Sequence, residues 1–214
     1  MNILLTAFDP FGGETINPAL EALSILPEEV GGHRLHKLAV PTLFGGAAEL
    51  ALAAMDRLRP EAVICLGQAG GRKNISVERV AVNLMDARIT DNAGYRPVDQ
   101  PVVPGGPAAY FSTLPVKAMA QAIRDAGLPG EVSYTAGTFV CNSLLYSVLH
   151  HAALHLPETR CAFIHVPYLP EQTGGKAEVF ALPLADMVRG LTAAISAVDG
   201  TDQEEQPGPG CAKK

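Results

Sequence analysis

Val132-Ser-Tyr-Thr-Ala-Gly-Thr-Phe-Val-Cys141-Asn142 reads as a β-strand, a glycine-containing turn and a helix that opens at the cysteine. The helix continues through Leu144, Leu145, Val148, Leu149 and Ala152, an apolar stripe at helical spacing. The next apolar run, Cys161-Ala-Phe-Ile-His165-Val166, reads as a second strand and ends in a histidine. A strand, crossover helix and parallel strand form a right-handed unit, with both strand carboxyl ends on one edge of the sheet. Ligand crevices of open α/β sheets lie along that edge. The stretch therefore predicts an α/β protein with Cys141 and His165 at one rim. A thiol at a helix start beside an imidazole is how a cysteine nucleophile is made.

The rest of the chain alternates in the same way. Ile3 to Ala7, His36 to Val40 and Ala62 to Leu66 are short apolar strands, and Ser76 to Leu84 is a longer one. Asn17-Pro18 opens a helix, with an N-cap residue followed by proline at the first helical position. Gly46 to Leu58, Leu114 to Ala126 and Leu182 to Val198 have helical patterns, and Asp91 to Pro107 is a long Gly- and Pro-rich loop. Alternating strands and helices predict a single-domain three-layer α/β/α fold with a mostly parallel, twisted central sheet. It is expected over residues 1–199, with 200–214 a polar, Pro/Gly-rich disordered tail.

Composition excludes several classes. The 214 residues carry a net charge of −6 and scattered basic residues, which argues against nucleic acid and anionic membrane partners. The start lacks a basic n-region with a cleavage site, and no apolar run is long enough to span a bilayer, so a cytoplasmic location is expected. Cys65, Cys141, Cys161 and Cys211 fit neither a disulfide scaffold nor a zinc site. Cys65 and Cys161 sit in apolar strands and read as core residues. None of the glycine pairs has a nucleotide-loop form and no metal-ligand motif occurs, so neither cofactor nor metal is expected.

Cys141 reads either as a small buried residue or as a nucleophile favoured by the helix macrodipole and by backbone N–H groups suited to an oxyanion. Of the six histidines, only His165 shares the rim with it. In Ser76-Val-Glu78-Arg-Val80-Ala-Val82-Asn-Leu84, alternation puts Glu78 on the face of Val80, Val82 and Leu84. A carboxylate on a buried face needs a partner. That partner is either a histidine, completing a nucleophile, base and orienter, or an arginine such as Arg79 or Arg88. Phe8 and Phe11 flank a turn at the end of the first strand, as core residues or as a substrate pocket.

These residues coincide with the motifs of a known family. Leu5-Thr-Ala-Phe8-Asp-Pro-Phe11-Gly-Gly-Glu-Thr-Ile-Asn17-Pro18, Gly67-Gln68-Ala-Gly-Gly-Arg72, Glu78-Arg79-Val-Ala-Val-Asn83-Leu and Ala87-Arg88-Ile89 all fit it. So do Ser133-Tyr-Thr-Ala-Gly-Thr-Phe139-Val140-Cys141-Asn142 and Phe163-Ile-His165-Val-Pro167-Tyr-Leu-Pro-Glu-Gln172. Over residues 2–198 the chain resembles pyroglutamyl peptidase type I, a cytoplasmic cysteine exopeptidase, with Ala7 where glycine is common. The resemblance implies cleavage of an N-terminal pyroglutamyl residue from peptides without a cofactor, in an enzyme that is often a homotetramer. It implies Cys141 as nucleophile, His165 as base and then acid, Glu78 as orienting carboxylate and Arg88 as oxyanion support. Phe8, Phe11, Thr42, Ile89, Phe139 and Val140 match positions around the lactam ring, with Asn17 and Gln68 as polar groups near it. A glutaminase-like amidohydrolase using Cys, His and Glu is the alternative enzyme, and a pyroglutamate-binding scaffold the non-enzymatic one.

Overall fold

Strands that are apolar on both faces belong in a sheet covered by helices on each side. The computed structural model describes residues 1–174 and 178–202, and its inner strands have this character. In chain order the elements are β1 (Asn2–Phe8), α1 (Pro18–Ile25), β2 (Glu29–Val30), β3 (His33–Val40), α2 (Gly46–Leu58), β4 (Ala62–Gln68) and β5 (Ile75–Glu78). Then follow β6 (Val80–Val82), β7 (Ala109–Phe111), α3 (Val116–Asp125), β8 (Gly130–Ser133), α4 (Val140–His155) and β9 (Arg160–Val166). A 3-10 turn (Pro170–Thr173) and α5 (Leu184–Ser196) complete the order.

Seven strands form one sheet in the order β2-β3-β1-β4-β9-β5-β8, and β6 pairs with β7 in a small second sheet. The segment β3-β1-β4-β9 is parallel throughout. Ile3, Leu5, Ile64, Leu66 and Ile164 pack on one face against α1, α3 and α5. Leu4, Val63, Phe163 and Cys161 pack on the other against α2 and α4. Each large apolar side chain buried in these layers contributes about 1.5–3 kcal/mol. The result is the expected three-layer α/β/α arrangement with a mostly parallel sheet. Asn17 caps α1 as expected, its Oδ1 accepting the Ala19 N–H at 3.0 Å, with Pro18 in the first helical turn. Among the described residues no helix is long and apolar enough to cross a membrane.

Two expectations need correction. Ser76 to Leu84 is not one strand: β5 ends at Glu78, and β6 belongs to the second sheet. Glu78 is therefore buried by its own place in the main sheet and not by sharing a face with Val80 and Val82. Nor do β8, α4 and β9 form a parallel crossover unit. β5 lies between the two strands, parallel to β8 and antiparallel to β9. The link Ala69–Asn74 is too short for a crossover helix, so β5 reverses direction relative to β4, and β8 follows β5. The segment Tyr134–Phe139 then returns the chain to the rim before α4 begins.

Within the stretch expected as a tail, Asp202 accepts the N–H groups of Lys117 and Ala118 at the start of α3 and pairs with Arg79 at 3.3 Å. Residues 203–214, including Cys211, lie outside the described residues.

Candidate active site

The carboxyl ends of β1, β4 and β9 meet the start of α4 around a cavity of about 470 Å³. Cys141 and His165 both line it. Parallel pairing sets Gly67 on β4 directly beside His165 on β9, and the Cys141 sulfur lies over Gly67. A smaller cleft of about 380 Å³, bounded by Arg34, His36, Lys37 and Arg57, is lined by no cysteine, serine or threonine.

Glu78 lies beneath the histidine, fully buried. Its Oε1 accepts a hydrogen bond from His165 Nδ1 at 2.7 Å. An ionised carboxylate can only accept, so Nδ1 carries the proton and Nε2 is left as the basic nitrogen. The same Oε1 accepts from Arg72 Nη1 at 2.6 Å. Burial pushes the Glu78 carboxyl up, but the His165 bond and charge, Ser133 and the Arg72 cation outweigh it and hold the group below its ordinary range. Burial pushes His165 down, toward the neutral base; Glu78 opposes this and Arg72 adds to it.

Of the three described cysteines, Cys65 and Cys161 are buried and Cys141 alone is partly exposed. Burial raises Cys65 to about 12. Burial first and the Glu78 carboxylate next push the Cys141 thiol up to about 12, against Arg72 and its own backbone N–H. The helix start and Arg72 favour the thiolate, while burial and the Glu78 charge oppose it, so ionisation of Cys141 is coupled to proton transfer to His165.

The pocket residues expected from the sequence surround this pair. Phe8, Phe11, Asn17, Thr42, Gln68, Arg88, Ile89, Phe139 and Val140 all line the cavity. Phe11 packs on Phe139 with ring centroids 6.1 Å apart, and Phe8 on Phe163 at 6.4 Å. Several polar groups are already engaged. Asn17 uses Oδ1 on Ala19 and one Nδ2 proton on Asp9 O, which leaves a single N–H to offer. The Thr42 hydroxyl donates to Asp9 O at 3.0 Å, so Thr42 holds the wall together. Gln68, also on the cavity, accepts from Gln172 at Oε1, which leaves its amide N–H groups to offer.

Three contributors were not singled out from the sequence. Arg72, and neither Arg79 nor Arg88, is the arginine on Glu78, so histidine and arginine share that carboxylate. Gly67 provides clearance: a Cβ there would come within 2.7 Å of the Phe163 ring and 3.1 Å of Cys141 Sγ. Asn142 ties the start of α4 to β6, accepting from the Val82 N–H at 2.9 Å and donating to the carbonyls of Val82 and Leu84. A buried carboxylate signals that some cation is near, but only the turn after β4 selects Arg72.

A thiol on a helix start, a tautomer-fixed imidazole and a buried carboxylate at one cavity are the parts of a thiol hydrolase. A family model for pyroglutamyl peptidase matches residues 1–200. The pyrrolidone-carboxylate peptidase of Levilactobacillus brevis is 55% identical over 198 residues, covering 92% of this chain and 97% of the relative. That of Streptococcus pneumoniae is 49% identical over 207 residues, covering 96% and 97%. The crystal structure of pyroglutamyl peptidase I from Bacillus amyloliquefaciens superposes with a TM-score of 0.91 at 44% identity, covering 96% of this chain and 98% of that one. This chain belongs to the pyroglutamyl peptidase family.

Proposed function

We propose that this protein is a cysteine exopeptidase that removes an N-terminal pyroglutamyl residue from peptides by acyl transfer through a thioester. The single observation that carries the assignment is the buried Glu78–His165 bond of 2.7 Å opening onto the cavity that Cys141 shares, in a chain of this family.

Cys141 attacks the pyroglutamyl carbonyl as its proton passes to His165 Nε2. The imidazolium is stabilised by the Glu78 carboxylate at Nδ1. The oxyanion meets the unpaired N–H groups of the first turn of α4, with Arg88 as a further cation on the same cavity. His165 returns its proton to the departing amine, and water hydrolyses the thioester by the same route.

The lactam is uncharged, five-membered and flat enough to lie among Phe8, Phe11 and Phe139. Donors on Asn17 and Gln68 suit its carbonyl. An N-terminal proline lacks that carbonyl and carries a charge, and leaving buried polar groups unpaired discriminates by about 10⁴ or more. Ile89, Tyr95 and Val98 are exposed apolar side chains that association between copies would cover, in keeping with a homo-oligomer; the tetramer is what the resemblance implies. A cytoplasmic location, a catalytic unit over residues 1–199, peptide substrates and no nucleic-acid or membrane partner complete the proposal.

The test is hydrolysis of a chromogenic pyroglutamyl anilide. Cys141→Ala should abolish it with the thermal midpoint preserved. Full activity in that variant would end the assignment, and ammonia release from free glutamine would move it to a glutaminase.

A further inference from the structure

We propose that Arg72 is a positioning residue of this site, a fixed cation that ties the Glu78 carboxylate to the cavity wall and keeps it aimed at His165. The proposal rests on the hydrolase reading of Cys141, His165 and Glu78.

Arg72 leaves the turn after β4, where its own N–H bonds Ala69 O at 3.2 Å. From there the guanidinium reaches three elements. Nη1 donates to Glu78 Oε1 on β5 at 2.6 Å and to Ser133 Oγ on β8 at 3.3 Å. Nη2 donates to Thr135 O at 2.8 Å, in the segment that continues into the cavity wall at Ala136–Phe139. One planar fork therefore links the carboxylate, the strand beside it and the segment leading to Cys141. A point-charge cation cannot make that bridge.

The carboxylate depends on it in a second way. Glu78 Oε2 has no partner among the described residues, so two donors on Oε1 set the orientation of the whole group. With a neutral imidazole and no cation bonded to it, a fully buried carboxyl would favour the protonated form. A protonated Glu78 could not stabilise an imidazolium. The titratable groups around the guanidinium are Glu78 from β5, His165 from β9 and Cys141 from α4; Asp86 and Arg88 line the same cavity. Arg72 lowers both the Glu78 carboxyl and the His165 imidazole. Removing its charge raises both, so the acid limb of any reaction that needs ionised Glu78 and neutral His165 moves to higher pH.

Charge and bridge can be separated by substitution. Arg72→Met removes both, and Arg72→Lys keeps the charge while losing the link to Thr135. The pH dependence of Cys141 alkylation by iodoacetamide and of kcat/KM on a pyroglutamyl anilide is measured for each, with circular dichroism to follow folding. In Arg72→Met the acid limb should rise by about one pH unit. Arg72→Lys should hold the unsubstituted limb yet lose kcat. An unmoved limb in Arg72→Met, or the same displacement in both variants, overturns the proposal. Should Arg72→Met not fold, a displaced limb in Arg72→Lys overturns it alone. If the unsubstituted protein cleaves no pyroglutamyl amide, the substrate reading fails, and the alkylation profile still decides the part played by Arg72.

Discussion

Replacing Glu78 by glutamine removes one charge and almost no shape. The glutamine Oε1 can still accept from His165 Nδ1 and Arg72 Nη1, because both donors use a single carboxylate oxygen, at 2.7 and 2.6 Å. Its amide nitrogen then occupies the place of Oε2, which has no partner to lose. What disappears is the attraction between the carboxylate and the imidazolium formed when Cys141 attacks. Two unit charges about 4 Å apart at an effective dielectric of ~20 attract by about 4 kcal/mol. That is roughly a 10³-fold loss in kcat. KM should change little, since Glu78 lies beneath His165 and does not line the cavity. Steady-state hydrolysis of a pyroglutamyl anilide, with thermal unfolding as control, measures both. A folded Glu78→Gln enzyme whose kcat stays within about threefold of the unsubstituted protein would refute the role given to this carboxylate.

Other outcomes follow from the same geometry. Gly67→Ala should cost about 1–3 kcal/mol of stability through overpacking against Phe163, and should lower kcat by displacing the Cys141 sulfur; an unchanged unfolding curve and unchanged turnover would contradict the clearance argument. Asn142→Ala takes the side-chain partner from the half-buried Val82 N–H and the Leu84 carbonyl, while the Val82 carbonyl keeps the Leu84 N–H, at about 1–3 kcal/mol by chemical denaturation. Activity should fall with it as the start of α4 loosens, and an equally stable, fully active variant would count against that anchor. Acid should destabilise the fold in two stages. His165 is held below its ordinary 6.5, so the unfolded chain takes the proton first and stability declines as pH falls below about 6.5. Glu78 is held below its ordinary 4.5, so its contribution is complete above that value and is lost as pH falls through the folded one. A thermal midpoint that rises on acidification from neutral pH would contradict both signs.

Much of the layout was legible because local patterns carry it. The doubly apolar runs of β1, β4 and β9 announce a sheet covered on both sides, and Asn17-Pro18 caps α1 where an N-cap and proline belong. The Ser76–Leu84 run misled because its alternation continues through Arg79 while the backbone passes from one sheet to another. Nothing local marks that change, since β5 and β6 each keep strand periodicity. The direction of β8 failed for a related reason. The strand-helix-strand pattern around Cys141 is the one a parallel crossover has, and only β5, inserted from far upstream, makes β8 and β9 antiparallel.

The site divides along the same line. Residue type and spacing along the chain marked Cys141, His165 and Glu78, because a helix start, a strand end and a carboxylate in an apolar strand are local facts. Which cation meets the carboxylate was settled by the fold, since Arg72 arrives on a turn whose path depends on how β4, β9 and β5 pair. The balance on the thiol also comes from the fold: the helix start favours an anion, while burial and the Glu78 charge oppose it. Helix and strand preferences act over a few neighbouring residues, whereas desolvation and ion pairing depend on every group that packing brings within a few ångströms.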